Sequence, residues 1–578
     1  MKTGAGPKNI TIVFALFYFV SSLCLSQELS QSVYQVIEEL DVKMPMRDGI
    51  RLSTNIYRPD TLSNFPVLLM RTPYGNGGKG NKEGHFYAQR GYVVVIQDTR
   101  GMYESEGVFD AYQHEALDGY DTQQWIGIQP WCNGKIGTFG ASYMGFTQWI
   151  AAPFQSPYLI TMFPSVAFTD LHDIAYLGGA FRLDLLSHWS FNMTHPYIYN
   201  IDLIDQRFDS VIHTIPLMNL DRIMGWRISF LRDWLAHPQH DKYWKRTSIG
   251  EDGYAKISAS VYNIGGWFDY FLGPTIKNFV SMTDSTIDPM IRAKQKLLIG
   301  PWDHSWDMRK VGELDFGEAA VINYRNLQLS WFDSQLKGKN TGILEEPPVK
   351  IFIMGENVWR YENEWPLART KYRKYYFQSE GYANTLSDDG FLNITLPNDS
   401  PSDTFIYDPE NPVPTLNELV PCDQHLVETR EDVLVYSTLP LKKNIEVTGP
   451  VKVILYASSS ALNTDFTAKL VDVYPDERAI FLCEGIIRAS HRNTDNQPSN
   501  IQPDEVYEYH IDLWATSNVF KKGHKIRVEI SSSNFPRFDR NLNTGSFFAT
   551  DTTYVKATQT IFHNREYPSC VILPVIEK

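Results

Sequence analysis

Three residue types that act together in acyl transfer occur along this chain in one order: Ser142 in GASYMG, Asp269 in GGWFD and His304 in GPWDHS. A serine hydroxyl is a weak nucleophile until a base takes its proton and a carboxylate orients that base. On a sharp turn between a strand and a helix the hydroxyl stands clear of the sheet edge, and flanking glycines remove bulk the turn cannot hold. The run Lys135 to Phe139 (KIGTF) predicts the strand, Gly140 to Gly145 the turn, and FTQWIAA the helix. The general pattern G-x-S-x-G would put its second glycine at Met144, whereas here it falls one place later, at Gly145. The amide of Tyr143, at the start of that helix, is expected to face an oxyanion formed at the serine. Tyr74, in RTPY after the run PVLLM, is a second candidate donor through its phenol, with an aromatic wall as the plainer alternative.

Asp269 follows the run VYNIGG and His304 the run KLLIG, so both are expected just past strand ends, in the order acid then base that this arrangement uses after serine. Two other acids compete. Asp303 adjoins the histidine and should point elsewhere from its loop; Asp98, in QDTRG, is expected to form a structural ion pair with Arg100. Metal and phosphate chemistry find no support. His114-Glu115 lacks a second histidine four residues on, and Gly77-Gly78-Lys79-Gly80 has neither the spacing nor the following Ser or Thr of a phosphate loop. No cofactor is called for. A net charge of −14 without any basic run argues against a nucleic-acid partner.

At 578 residues the chain exceeds a single core. Residues 34–59 alternate apolar and polar around Arg47-Asp48-Gly49 and predict antiparallel strands. PVLLM, YVVVI, KIGTF, VYNI and KLLIG are continuous apolar runs that suit parallel strands buried on both faces. Glu115 to Gly127 predicts a helix with Leu117, Tyr120 and Trp125 on one face. From Val349 onward short runs such as VKIFIM, VLVYST, VKVILYASS, KIRVEISSS and TQTIFH predict a β-sandwich or jelly roll. The expected organisation is therefore an α/β-hydrolase catalytic domain (30–167 and 250–340), a helical cap inserted at 168–249, and an all-β jelly-roll, galactose-binding-like domain at 348–578. Lys2 and Lys8 ahead of an apolar run from Ile10 to about Val20 have signal-peptide order, with cleavage after Ser26 and export to the periplasm or beyond. Lipid attachment at Cys24 is disfavoured by bulky Leu23. Cys132, Cys422, Cys483 and Cys570 then remain, without metal spacing, and one bridge among the last three is compatible with an oxidising compartment.

GASYMGFTQW, RTPY, QDTRGMYESEG, DGYDTQQW, QPWCNGKIG, NIGGWFD, GPWDHS and WFDSQLKG together resemble the bacterial acyl hydrolases grouped with cocaine esterase (CocE/NonD). That group is related to the X-prolyl dipeptidyl peptidases (peptidase family S15) and to the α-amino-acid ester hydrolases. The resemblance spans nearly the whole mature chain. Its serine motif is GxSYxG, so the shifted glycine is the family's own form. It implies Ser142 as nucleophile, Asp269 as acid, His304 as base, and Tyr74 with the Tyr143 amide as oxyanion hole. It further implies a small acyl ester, amide or short peptide as substrate, and homo-oligomerisation is compatible with it. Tyr270 and Phe271 follow Asp269 where the amino-acid ester hydrolases carry a carboxylate cluster. This disfavours a charged α-amine and implies that Phe271 lines an acyl pocket. X-prolyl dipeptidyl aminopeptidase activity, or a catalytically silent glycan-binding role, are the rival functions.

Overall fold

The computed structural model describes residues 28–194, 208–384, 389–417, 420–493 and 497–577, with Met1 and Leu386. The expected signal segment, its cleavage point and Cys24 lie outside the described residues. A hairpin of β1 (Val36–Pro45) and β2 (Arg51–Pro59) opens the first sheet. It continues with β3 (Phe65–Thr72), α1 (Lys82–Ala88), β4 (Val93–Asp98), α2 (Glu115–Gly127), β5 (Cys132–Ala141), α3 (Tyr143–Ala151) and β6 (Leu159–Ser165). After an insertion come β9 (Ser260–Gly266) and β10 (Lys296–Gly300), and then β13 (Val349–Ile353) and β14 (Val358–Glu362). The strand order is β1-β2-β4-β3-β5-β6-β9-β10-β13-β14, with parallel pairing from β4 through β13.

The continuous apolar runs exist because both faces of the sheet are covered. Val94 and Ile96 of β4 pack with Leu329, Phe332 and Leu336 of the helix Tyr324–Lys337, whereas Val93 and Val95 join Ile126 of α2 on the opposite face. Alternate side chains of one strand thus enter different cores. The buried face of α2 differs from the expected one. Leu117 is exposed, and the helix buries Glu115, Asp118, Gly119, Thr122, Gln123 and Ile126. Gly119 lets α2 approach α3, where a Cβ would stand 2.8 Å from that of Ala151. The polar groups on this face are met by buried partners from the sheet, including Arg71 and Gln97. A hydrophobic stripe therefore did not decide the orientation of this helix. The run VKIFIM, expected to open the all-β domain, is β13 and pairs in parallel with β10 through Leu297 and Val349, so the first sheet continues past β10, with β14 antiparallel beyond it.

Between β6 and β9 lie α4 (Leu171–Ala175), the short strands β7 (Tyr176–Leu177) and β8 (Ala180–Phe181), α5 (Leu183–Thr194) and the helix Ser229–Ala236. Phe181, Phe191, Leu231 and Trp234 of this insertion share one apolar cluster with Tyr143 and Phe146 of α3 and with Phe271. The tip of the β7–β8 hairpin also docks on the C-terminal domain: the Arg488 amide donates to the Gly178 carbonyl at 2.8 Å. β11 (Lys310–Val311) and β12 (Leu314–Asp315) form a small ribbon.

The remaining strands build an eleven-stranded sheet system in which Ile445–Ser459 pairs with Tyr507–Phe520, Cys570–Ile576 and Ala557–Phe562. Its core is continuous with that of the first sheet: Trp267, Phe268 and Ile351 belong to the same cluster as Phe377, Val453 and Ile511. Cys132, Cys422, Cys483 and Cys570 are all buried free thiols, so no bridge joins the last three. No described helix is long and apolar enough to cross a membrane.

Candidate active site

β5 ends and α3 begins at Ser142, whose φ of 58° and ψ of −122° are rarely taken by a residue with a side chain. The turn persists because its neighbours over-determine it. The Ser142 amide donates to the Ser165 carbonyl at the end of β6, 3.0 Å away, and the Ser142 carbonyl accepts from the Gly145 and Phe146 amides at 2.9 Å. Gly140 has φ 127°, and a Cβ there would lie 2.6 Å from that of Met144. The position of the second glycine has a steric cause. A Cβ on Gly145 would stand 2.5 Å from the Ala167 Cβ and 3.2 Å from the Ser165 carbonyl oxygen, where α3 crosses the end of β6. Met144, half-buried, keeps its side chain, its Cβ facing Gly140 across the turn.

The acid and base loops leave β9 and β10, which are paired in parallel up to Gly266 and Gly300. The pairing is prolonged beyond the strands: the Trp267 amide donates to the Gly300 carbonyl and the Phe268 amide to the Trp302 carbonyl, each at 2.9 Å. Gly266 is obligatory at this crossing, since a Cβ would meet the Trp302 carbonyl oxygen at 2.2 Å. Fully buried Trp302 anchors the base loop by donating Nε1–H to the Ala320 carbonyl at 3.0 Å. On this clamp His304 places Nδ1 2.6 Å from Asp269 Oδ1 and Nε2 3.0 Å from Ser142 Oγ. The Asp269 side chain is fully buried and that of His304 one-third exposed. Burial pushes the Asp269 carboxyl upward, and the charge and hydrogen bond of His304, with a smaller contribution from Arg182, oppose it. An acid donor–acceptor chain of this length can move a proton from Oγ to Nε2 while the carboxylate holds the imidazole.

Asp303 turns away, its Oδ1 accepting from the Ser305 amide at 2.9 Å and from the Ser305 hydroxyl. Tyr74 stands beyond β3 with its ring 6.5 Å from that of Tyr143, edge to face. The Tyr143 ring is buried; its hydroxyl donates to Glu115 Oε1 at 2.9 Å and accepts from the Tyr112 amide at 3.1 Å. Phe271 is also buried, edge-on to His304 at 5.1 Å and against Phe168 at 4.9 Å.

Sequence reasoning missed three supports of this site. Glu115, which holds Tyr143, is itself held by Arg71, whose Nη1 donates to its Oε2 at 2.6 Å within the buried interior. Arg182 of the insertion, fully buried, donates Nη1–H to the Tyr270 carbonyl at 2.9 Å, next to Asp269. Trp189 of α5 donates Nε1–H to the Tyr74 hydroxyl at 3.0 Å. Nothing local marks Arg182, with Asp184 two residues on, as a buried cation, nor Trp189 among 14 tryptophans. No cluster of metal-ligating side chains occurs among the described residues.

Arg100 pairs with Asp118 at 2.6 Å and with Asp48 at 2.7 Å, not with Asp98. Asp118 lies on the buried side of α2 and out-competes the nearer residue in sequence. Asp98 is left with Oδ1 buried and unpartnered among the described residues, and burial pushes its carboxyl up to about 7. Between the ordinary value of 3.8 and about 7 the folded chain retains a proton that the unfolded chain releases, so stability falls as pH rises through that window. Asp98→Asn, neutral throughout, should gain on the order of 4 kcal/mol relative to wild type on going from pH 4 to pH 8. Urea unfolding at both pH values measures it; an offset equal at both would disprove the account.

A parallel sheet carrying serine at a strained strand-to-helix turn, with acid and base on the loops after later strands, defines an α/β-hydrolase-type serine hydrolase. The chain belongs to the X-Pro dipeptidyl-peptidase (S15) family, whose sequence pattern matches residues 48–306, with the family's C-terminal non-catalytic domain matching residues 341–572. It is 37% identical over 581 residues to the cocaine esterase of Rhodococcus sp. (strain MB1 Bresler), covering 93% of this chain and 98% of that one. Among solved structures, an aminopeptidase from a marine sediment archaeon, Thaumarchaeota archaeon, superposes with a TM-score of 0.81 at 26% identity, over 99% of both chains. An α-amino acid ester hydrolase has the same fold, with a TM-score of 0.81 at 24% identity, over 97% of this chain and all of that one.

Proposed function

We propose that the chain hydrolyses small acyl esters or amides through an acyl-enzyme, with Ser142 as nucleophile, His304 as general base and then acid, and Asp269 as the orienting carboxylate. The observation that carries this is the unbroken contact from Asp269 Oδ1 through His304 to Ser142 Oγ, at 2.6 and 3.0 Å. Oγ attacks the acyl carbon as its proton passes to Nε2; the tetrahedral oxyanion takes hydrogen bonds from the Tyr143 amide and the Tyr74 hydroxyl. Collapse breaks the bond to the leaving alcohol or amine, which takes the proton from Nε2. Water, deprotonated by the same nitrogen, then releases the carboxylic acid and restores Oγ–H.

In this assignment the region 168–249 is a cap over the site and Phe271 lines the acyl side, supported by their shared apolar cluster with Tyr143. Aromatic Tyr270 and Phe271, instead of carboxylates, beside Asp269 favour an acyl group without a free α-amine. Export through a cleaved leader ending at Ser26 completes the assignment, supported by the order of basic, apolar and small residues there. A panel of p-nitrophenyl acyl esters, anilides and X-Pro p-nitroanilides tests the substrate class, with ester turnover exceeding X-Pro cleavage as the expected result. The reverse preference would make the chain a dipeptidyl peptidase. Failure of a fluorophosphonate to label Ser142 would remove catalysis altogether and favour a binding role.

Tyr74 is tested separately. A phenol donating to the oxyanion interacts more strongly with the charged transition state than with the ground-state carbonyl, so its loss acts on kcat more than on KM. Tyr74→Phe should lower kcat by ~10²–10³, the effect of a single oxyanion donor. Steady-state kinetics with circular dichroism as a folding control measures it, and a near-normal kcat leaves Tyr74 as an aromatic wall.

A further inference from the structure

Trp189 touches the Tyr74 hydroxyl, assigned above to the oxyanion, and packs on the ring of Tyr143, the residue whose amide is the other assigned donor. Its indole N–H reaches the Tyr74 hydroxyl at 3.0 Å, and its ring stacks on Tyr143 with centroids 5.9 Å apart and 17° between planes. It also stacks on Tyr112 at 5.3 Å and on Trp234 at 6.1 Å, so the indole is held between the catalytic side and the helix Ser229–Ala236. Tyr112 in turn fixes the Tyr143 hydroxyl through its amide.

A phenol hydroxyl has one proton and two lone pairs, whereas an indole nitrogen donates only. With Trp189 donating into one lone pair, the Tyr74 proton must point away from the indole. Accepting that bond also polarises the hydroxyl and strengthens it as a donor. We propose that Trp189 is a positioning residue for the oxyanion hole: the indole N–H holds Tyr74 as an acceptor on the side of the inserted segment, so that the phenol proton is turned toward the developing oxyanion. Seating of α5 on the catalytic side is thereby coupled to the chemical step. This rests on the assignment of Tyr74 as an oxyanion donor.

The test is a double-mutant cycle with Trp189→Phe, Tyr74→Phe and the double variant, read as kcat and KM on a p-nitrophenyl ester. Trp189→Phe keeps an aromatic ring and removes the donor. Its kcat should fall about 10-fold, the scale of one lost hydrogen bond, with a smaller change in KM. In the Tyr74→Phe background the same replacement should change kcat less than twofold. An equal loss in both backgrounds would show packing alone and overturn the proposal, as would a near-normal kcat for Trp189→Phe. A near-normal Tyr74→Phe would instead sink the donor assignment, and the proposal with it, which the single variants distinguish. Trp189→Met, a second donor-free side chain, must give the same coupling and keeps the test open should the phenylalanine variant fail to fold.

Discussion

Ser142→Ala is expected to lower kcat by ~10⁴–10⁶, because loss of the nucleophile removes the joint contribution of all three members of a triad. His304 Nε2, now 3.0 Å from Oγ, is left with no hydroxyl proton to take. Folding should be unaffected. The serine side chain makes no cap hydrogen bond to α3, and the turn is held by its backbone amide on the Ser165 carbonyl. Alanine makes the same backbone contacts and occupies less space. Chromogenic ester turnover, with circular dichroism and fluorophosphonate labelling as controls, reads the outcome. Retention of a tenth of the activity would place the nucleophile elsewhere.

His304→Ala should cost as much, while Asp303→Ala should be mild, and the contrast is the informative part. The two residues adjoin in sequence, yet His304 bridges Asp269 and Ser142, whereas Asp303 accepts from Ser305 within its own loop. Removing the imidazole takes away both the proton acceptor and the proton later given to the leaving group, as in other triads where members act as a unit. Loss of the Asp303 carboxylate loosens one loop turn. kcat/KM for the two variants separates these roles; a larger loss in Asp303→Ala would overturn the choice of base.

The candidate site was legible because its chemistry is tied to local backbone signals. Gly140 and Gly145 mark a turn that cannot hold Cβ atoms, and the runs VYNIGG and KLLIG end where Asp269 and His304 stand. Strand identity in the first sheet was equally plain, since strands buried on both faces are continuously apolar. What failed to be legible shares a different cause. α2 turned its polar side inward because Arg71 and Arg100, from distant segments, supply partners there, and periodicity in one segment does not register a buried cation in another. Asp98 lost Arg100 to Asp118 for the same reason.

By itself, then, the amino-acid sequence determined the types of the candidate site residues, their order and the strand ends that carry them, because glycine tolerance and two-faced burial are properties of short segments. Only the tertiary structure decided which side chains support them. The contacts of Trp189 with Tyr74 and of Arg182 with the Tyr270 carbonyl join segments separated by 115 and 88 residues. The attachment of β13 to the first sheet depended likewise on the edge that β10 offered. Such pairings follow from which surfaces meet when the chain closes, and no local pattern encodes the partner.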